Sequence, residues 1–338
     1  MRSTFPSGAF QRGLRVILIA FFAAIASAAA QAQATKLDDL VSAVVRVKTF
    51  INPDGTSVSN LGREREGSGI VIDESGLVLT IGYLMVEAHA AQIVTSAGRT
   101  LPANVVGYDH ETGFGLLRTL EPPNIKPLSF ASSAEVKEQD PALVASYGGT
   151  GMVLPVRVAG RREFTGSWEY LVESAIFTSP PHPAWSGAAL INREGKLIGV
   201  GSLIVGDAAG DNQPSPGNMF VPIDLLGPIL GDLIAKGRVV GEGRPWLGVN
   251  AQAMHGRLFV GRVAPGSPAD QAGLKRGDII AGVNGEKTRT LSELYRKVWA
   301  LGAAGVTVPL DVLSDSTPRR VELNSVNRLD ALKLQSTF

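Results

Sequence analysis

Short apolar segments, many of them alternating with polar residues, recur through the first two thirds of the sequence. Turns rich in glycine, aspartate and serine separate them, and examples are residues 41–50, 67–73, 101–108, 142–147, 152–159 and 169–173. Alternation with a period of two predicts strands, and short strands with turn signals at regular spacing are typical of antiparallel barrels or sandwiches. We therefore predict about a dozen short strands here, rather than alternating strands and helices.

Convincing helical spacing of apolar residues first occurs at residues 222–236, and Gly237 follows as a stop signal. Residues 81–90 resemble a shorter helical turn. A glycine-rich polar segment, 237–244, then precedes a second unit in which several strand patterns flank a helix at 290–301. That combination predicts a small α+β barrel with an open sheet edge.

The length of 338 residues suggests two domains, which the glycine-rich segment separates. The predicted parts are a signal peptide (1–34), a first domain (38–236), a linker (237–244), a second domain (245–325) and a C-terminal tail (326–338). A hydrophobic content of 44% allows a sizeable core. A formal net charge of +1 without a long basic run argues against nucleic-acid binding.

Residues 1–34 have the three regions of a secretory signal peptide. Three arginines precede an apolar run at 16–26, and small residues follow with cleavage sites after Ala32 or Ala34. An uncleaved anchor is the alternative, but the run is shorter than the ~20 residues that a spanning helix needs. We therefore expect cleavage, a periplasmic or secreted product, and no stable membrane span after cleavage.

The sequence contains no cysteine, and its four histidines lack the spacing of metal ligands. A cysteine nucleophile is thus excluded, and we predict neither a metal site nor a cofactor. An exported protein without disulfides depends on its core alone, which a chain of this length permits.

Residues 182–201, H-P-A-W-S-G-A-A-L-I-N-R-E-G-K-L-I-G-V-G, predict a tight turn with one serine, followed by a hairpin. Gly187, directly after Ser186, permits backbone conformations that a side chain forbids. A trypsin-like double barrel presents its nucleophile on such a turn, but Ser-Gly pairs mark ordinary turns far more often. The stretch alone leaves both interpretations of Ser186 open.

Longer motifs add a family resemblance. The first unit contains G-S-G-I-V-I-D-E-S-G-L-V-L-T, V-V-G-Y-D-H-E-T-G-F-G-L-L-R, W-S-G-A-A-L-I-N-R-E-G-K-L-I-G-V and G-N-M-F-V-P-I-D. They closely resemble the HtrA (high-temperature-requirement) branch of the trypsin-like serine proteases. The second unit contains R-P-W-L-G-V and V-A-P-G-S-P-A-D-Q-A-G-L-K-R-G-D-I-I-A-G-V-N-G, which are similar to the PDZ domain of that family. The resemblance covers about residues 38–325. It implies a mainly β fold, a trypsin-like double β-barrel followed by a small α+β PDZ domain.

The resemblance assigns the catalytic positions to Tyr83, Gly113 and Ser186, where the family has histidine, aspartate and serine. Peptide hydrolysis needs a nucleophile, a base and a carboxylate that orients the base. A neutral tyrosine, with a pKa of about 10, is a poor base at neutral pH, and glycine orients nothing. Ala184 also replaces the glycine whose N–H helps to bind the oxyanion. The resemblance therefore implies a protease fold with a degenerate triad.

Two histidines are alternative bases, because His89 follows Tyr83 by six residues and His182 precedes Ser186 by four. A surface role is the commoner explanation for such histidines. We assign Asp109 to the stabilisation of a turn. For Trp185 two roles remain open, a plug at the substrate entrance or ordinary packing.

PDZ domains add an extended peptide to an open sheet edge and hold its terminal carboxylate on backbone N–H groups of a tight loop. The resemblance assigns that loop to Trp246, Leu247, Gly248 and Val249. Gly248 permits the loop geometry, and Leu247 is expected to line the apolar side-chain pocket. The helix at 290–301 is expected to form the other wall of the groove.

These residues predict an exported HtrA-like pseudoprotease that binds peptides or protein C-termini, with envelope protein quality control as a candidate setting. Two alternatives remain open. One is an active serine endopeptidase that uses Ser186 with a non-standard base. The other is a non-catalytic subunit, either in a homotrimer or assembled with active HtrA relatives, since HtrA proteins commonly form trimers.

Overall fold

The computed structural model describes residues 37–211 and 213–334. They form two closed β-barrels, followed by a smaller unit with one main sheet. The predicted signal peptide at 1–34 lies outside the described residues. None of the helices within 37–211 and 213–334 has the length and apolar character needed to cross a bilayer.

The first barrel closes in the order β1-β2-β3-β6-β5-β4. Its strands are β1 (Val44–Ile51), β2 (Glu64–Val71), β3 (Leu77–Ile81), β4 (Ala88–Val94), β5 (Thr100–Tyr108) and β6 (Phe114–Thr119). In β1 the side chains of Val45 and Val47 are buried, whereas Arg46 and Lys48 form ion pairs at the surface. This is the alternation that the sequence predicts.

The second barrel closes in the order β10-β11-β12-β9-β8-β7. Its strands are β7 (Pro141–Ala145), β8 (Val153–Gly166), β9 (Tyr170–Ser179), β10 (Ala189–Ile191), β11 (Leu197–Val205) and β12 (Gly217–Pro222). We predicted shorter strands at 152–159 and 169–173, and these bounds are wrong. The β8–β9 ladder contains two register shifts, which interrupt the period-two pattern that reveals a strand in the sequence.

The predicted helical turn at 81–90 is largely wrong. Only Gly82–Leu84 forms a 3₁₀ turn, and β4 begins at Ala88, so that His89 lies on a strand with an exposed side chain. Glu87 adopts a left-handed φ of 63°, which a helix cannot continue through. Its carboxylate accepts backbone N–H groups from the loop that follows β1. This tertiary contact outweighs the local helical pattern.

Few helices accompany the strands. Besides the helical residues 37–42, the α-helices are α1 (Val58–Leu61), α2 (Gly227–Lys236), α3 (Pro268–Gln271) and α4 (Leu291–Trp299). The 3₁₀ turns are Gly82–Leu84, Ser133–Glu135, Gly149–Met152, Ile223–Leu225 and Arg328–Ala331. The helix predicted at 222–236 is therefore divided into a 3₁₀ turn and α2, and it ends at Gly237 as predicted, with a φ of 71°.

The last unit has a sheet in the order β14-β15-β16-β18-β19, with β17 on β16 and a separate pair, β13 and β20. These strands are β13 (Pro245–Trp246), β14 (Val249–Met254), β15 (Arg257–Val263), β16 (Ile279–Val283), β17 (Glu286–Lys287), β18 (Thr307–Ser314), β19 (Thr317–Asn324) and β20 (Val326–Asn327). The stretch that we predict as a tail contributes β20. Further along it, the Lys333 N–H donates to the Glu87 carboxylate at 2.9 Å.

Separate apolar clusters hold the units together. One cluster joins side chains of both barrels and includes Ile81 and Leu84, which lie on either side of Tyr83. Another fills the last unit and includes Leu171 of β9, a side chain from the second barrel. The fold therefore brings Tyr83 to the contact between the barrels, and it brings the β8–β9 hairpin to the last unit.

Candidate functional site

Ser186 lies on the turn between β9 and β10, where the two barrels meet. Gly187 has a φ of 72°, and a Cβ there would overlap the carbonyl oxygen of Ser68. The Ser68 N–H in turn donates to the Ser186 carbonyl at 2.8 Å. The glycine after the serine is thus required by a close backbone approach, as the sequence suggests.

The Ser186 hydroxyl is hydrogen-bonded to a phenol. Ser186 Oγ donates to Tyr83 Oη at 2.7 Å, and Tyr83 Oη donates to the Ser202 carbonyl at 2.8 Å. Burial raises the pKa of Tyr83 to about 12, although hydrogen bonds with Ser186 and Trp185 act in the opposite direction. At neutral pH this phenol is un-ionised, so it holds Ser186 in place without taking its proton.

Gly113 lies beside this pair. The Gly82 N–H donates to the Gly113 carbonyl at 2.6 Å, which places Gly113 next to the backbone of Tyr83. Gly113 has a φ of 81°, and a Cβ there would lie 3.1 Å from Tyr170 Oη. That hydroxyl donates to the Thr112 carbonyl at 2.7 Å. The fold brings the neighbourhoods of Tyr83, Gly113 and Ser186 together, with a second tyrosine beside Gly113.

The backbone N–H of Ala184 donates to His182 Nδ1 at 3.1 Å. On the other side of the ring, His182 Nε2 lies 3.2 Å from the Met152 carbonyl. This arrangement requires a neutral ring with its proton on Nε2, and burial lowers the pKa of His182 accordingly. The Ala184 N–H therefore already has an acceptor, and the unprotonated Nδ1 of His182 already accepts a hydrogen bond.

The remaining histidines to consider as bases are His89 and His110. His89 is exposed on β4, and His110 is half-buried between Tyr108 Oη at 3.2 Å and Arg328 at 2.8 Å. Burial and the charge of Arg328 hold the pKa of His110 well below its ordinary value. Across residues 37–211 and 213–334, no hydrogen bond joins a histidine ring to Ser186.

Two flanking residues complete this region. Asp109 stabilises a turn, as predicted, because its carboxylate accepts the Thr112 N–H at 2.7 Å. Trp185 is half-buried beside Ser186. Its carbonyl lies against Gly201, where a Cβ would overlap it.

A second candidate site lies in the last unit, at the loop between β13 and β14. The N–H groups of Leu247, Gly248 and Val249 donate to one carboxylate at 2.9, 2.8 and 2.9 Å. Gly248 has a φ of 83°, and a Cβ there would overlap the Ser267 side chain. Trp246 differs from its neighbours, because it lies in β13 and pairs with β20.

The carboxylate on this loop belongs to Glu169, at the tip of the β8–β9 hairpin. Glu169 is 8% exposed and has a left-handed φ of 58°. Burial raises the pKa of its carboxyl, although the loop N–H groups and Arg328 act in the opposite direction. Nothing in the local sequence pattern marked this residue, which we predicted to begin an ordinary strand.

Helix α4 forms the wall opposite the loop. It begins after Thr290, whose hydroxyl accepts the Glu293 N–H at 3.1 Å as an N-cap. Leu294, Tyr295 and Val298 are buried against the sheet. A small cavity of about 10 Å³ lies between α4 and the loop, with Leu247 and Glu169 in its lining. Its volume is that of about one water molecule.

Comparison with known proteins identifies both units. Residues 67–200 match the trypsin-like peptidase domain, and residues 259–311 match the PDZ domain. A solved structure of the HtrA-type protease AlgW with a decapeptide aligns with a TM-score of 0.52 and 20% identity, over 90% of this chain and 99% of that one. That likeness concerns the fold. The predicted mainly β class, a trypsin-like double barrel with a small PDZ domain, is confirmed.

Two curated relatives that match this chain are named as periplasmic serine proteases. Over 279 residues the chain is 30% identical to a probable periplasmic serine protease do/HhoA-like of Haemophilus influenzae, covering 76% of this chain and 57% of the relative. Over 273 residues it is 28% identical to the periplasmic pH-dependent serine endoprotease DegQ of Escherichia coli, covering 76% and 58%. The chain thus spans less than two thirds of the length of these relatives. It contains a trypsin-like peptidase domain followed by a PDZ domain, and it has the fold of an HtrA-type protease.

Proposed function

We propose that this chain is a periplasmic or secreted HtrA-like pseudoprotease that binds peptides or protein C-termini through its PDZ groove. The observation that carries the proposal is the hydrogen bond from Ser186 to a half-buried, neutral Tyr83. The relatives are named as periplasmic proteins, which favours an exported location. Envelope protein quality control is the setting that we propose for this binding.

The chemistry around Ser186 supports the absence of hydrolysis. A phenol with a pKa of about 12 is a far weaker base at neutral pH than an imidazole. The Ala184 N–H, a candidate oxyanion donor, is held by His182. Loss of one such donor alone slows acyl transfer by about 10²–10³-fold.

The PDZ loop supports peptide binding, because its backbone already holds a carboxylate. Three N–H groups converge on the Glu169 carboxylate within 2.9 Å. Hydrogen bonds to an ionised acceptor are about twice as strong as neutral ones. A free C-terminus with an apolar last residue offers the same group, together with a side chain for the apolar space beside α4.

Casein hydrolysis tests the loss of peptidase activity. The purified mature chain is compared with Ser186→Ala at pH 7 and 8, and circular dichroism confirms that both proteins are folded. We expect the two to release peptides at the same background rate. Activity that is present in the wild type and absent from Ser186→Ala would establish the alternative, an active endopeptidase.

A peptide and its amide test the binding proposal. Labelled decapeptides that end in Val, Leu or Phe are titrated with the full chain as free acids and as C-terminal amides. Amidation removes the charged acceptor, which costs about 1.5–3 kcal/mol and therefore about ten-fold or more in affinity. Equal affinities for acid and amide would contradict the assignment of the loop at 247–249.

A further inference from the structure

The groove between β14 and α4 is occupied by the chain itself. Residues 166–169, here called the hairpin tip, connect β8 to β9 and enter this groove. The Ala251 N–H donates to the Ser167 carbonyl at 2.9 Å. Tyr295 Oη on α4 donates to the Gly166 carbonyl at 2.7 Å and accepts the Glu169 N–H at 3.2 Å. Both walls of the groove thus bind the tip.

These contacts have the register of an added strand that ends in a carboxylate. The backbone carbonyl of Ser167 accepts the N–H of Ala251, and the side-chain carboxylate of Glu169, two residues later, accepts the N–H of Val249, two residues earlier. The tip and β14 thus run in opposite directions, with one backbone hydrogen bond between them and a carboxylate on the next N–H donor of that edge. An extended peptide with its terminal carboxylate on the loop would use the same donors. The left-handed φ of Glu169 lets the chain turn away after the carboxylate, where a peptide would end.

Apolar and charged contacts flank the tip. Leu171, 6% exposed, belongs to the apolar cluster of the PDZ domain although it lies on β9. Arg296 on α4 forms ion pairs with Glu163 at 2.7 Å and with Glu173 at 3.0 Å, on the two strands of the hairpin. These ion pairs are well exposed, and such pairs contribute little because solvent screens them. Glu169 and Leu171 are therefore the principal anchors.

We propose that the hairpin tip is an internal ligand of the PDZ groove, in which the Glu169 carboxylate stands in for the C-terminal carboxylate of a peptide. A free C-terminus then binds only when the tip has left the groove. The identity of the incoming peptide rests on the proposed function, whereas the occupation of the groove rests on the contacts of the tip. The apparent affinity for a peptide is reduced in proportion to the fraction of molecules with an open groove.

Hydrogen exchange on the full chain tests the occupation without any peptide. Wild type is compared with Glu169→Gln, and Glu194→Gln is the matched control, because Glu194 is exposed in the turn between β10 and β11. We expect the amides of residues 247–249 to exchange about ten-fold or more faster in Glu169→Gln, and at the wild-type rate in the control. Equal exchange in wild type and Glu169→Gln would overturn the internal-ligand proposal.

Peptide titration then separates this proposal from the proposed function. The probes are labelled decapeptides ending in Val, Leu or Phe, and we expect Glu169→Gln to bind them about ten-fold or more tightly than wild type. Equally tight binding by wild type would overturn the internal ligand and leave the peptide-binding function in place. Faster exchange in Glu169→Gln, with no binding by any variant, would support the internal ligand and contradict the peptide-binding function.

A second variant covers the case in which Glu169→Gln does not fold. Tyr295→Phe removes the hydroxyl that bonds to both Gly166 and Glu169 but leaves the ring on α4. We expect it to accelerate exchange at residues 247–249 in the same direction, by a smaller factor. A folded Tyr295→Phe with unchanged exchange and unchanged peptide affinity would contradict the proposal independently.

Discussion

The serine site and the PDZ loop differ in the kind of atoms on which their chemistry depends. Around Ser186 the chemistry depends on side chains, and Tyr83 and Gly113 supply neither an imidazole nor a carboxylate. At the PDZ loop the chemistry depends on backbone N–H groups, which are present whatever the side chains are. The fold has kept those three donors convergent on one carboxylate.

The comparison also shows two ways in which a site is closed. The Ala184 N–H is held by a ring two residues away, so a local side chain removes it from the cleft. The loop N–H groups are held by Glu169, 78 to 80 positions away in the sequence. The contact between Ala184 and His182 persists as long as their turn persists. The contacts of Glu169 with the loop are released when the hairpin moves away from the loop. We therefore expect the first site to resist repair and the second to open.

The strongest test of that difference is an attempted repair of the serine site. Tyr83→His alone should hydrolyse casein no faster than Ser186→Ala, and Tyr83→His combined with Gly113→Asp should hydrolyse it at most in traces. An imidazole without its orienting carboxylate loses about 10⁴-fold in rate, and a missing oxyanion donor about 10²-fold or more. Casein assays at pH 7 to 9 measure this. A rate that depends on Ser186 in Tyr83→His alone would break the comparison.

Acid should destabilise both regions, because His182 and His110 are held neutral by their surroundings. Their pKa values are lower in the folded state than in the unfolded state. Below about pH 6.5 the unfolded state therefore binds more protons than the folded state, and the free energy of unfolding falls as the pH falls. A group contributes at most about 1.4 kcal/mol per pH unit, and because the unfolded histidines are only half protonated at pH 6.5, the pair lowers stability by at most about 2 kcal/mol between pH 6.5 and 5.5. Urea unfolding at pH 7.5, 6.5 and 5.5 measures this fall.

The matched variants for this prediction are single replacements. His182→Gln should reduce the slope of stability against pH, whereas His89→Gln, on an exposed strand position, should leave it unchanged. A stability that is constant from pH 7.5 to 5.5 would contradict the neutral tautomer assigned to His182, and with it the closed state of the Ala184 N–H.

A smaller effect is expected when a side chain is introduced at Gly113, beside Tyr170. Gly113 and Gly98 share a φ of 81°, but a Cβ at Gly113 would meet Tyr170 Oη at 3.1 Å, whereas one at Gly98 would have no heavy atom within 4 Å. Gly98→Ala should cost about 1 kcal/mol of unfolding free energy from backbone strain alone, and Gly113→Ala about 1–2 kcal/mol. Thermal and urea unfolding compare the two. Equal losses would show that Tyr170 leaves room for a side chain at Gly113.

The smallest effect is expected from the exposed ion pairs beside the groove. Arg296→Ala removes both pairs to the hairpin, and exposed pairs contribute little to stability because solvent screens them. Exchange of the amides at 247–249 should therefore rise less in Arg296→Ala than in Glu169→Gln. A larger rise in Arg296→Ala would move the principal anchor of the hairpin from the buried carboxylate to the surface charges.

The two sites were predictable from the sequence to different degrees. The turn at Ser186 was predicted from a local signal, a glycine directly after a serine, whereas the loop at 246–249 was assigned by the family resemblance. The occupants of these sites were not found. Tyr170 beside Gly113 and Glu169 on the loop reach their places through a long hairpin whose register shifts hide its length in the sequence.

The sequence by itself determined the strand-rich character of the fold and the absence of imidazole and carboxylate at positions 83 and 113, because periodicity, turn chemistry and residue identity are local properties. Only the tertiary structure decided which groups satisfy the backbone donors. A buried N–H must find an acceptor, and the acceptor that it finds depends on which segments the fold brings within about 3 Å. For Ala184 that acceptor is His182, and for the PDZ loop it is Glu169.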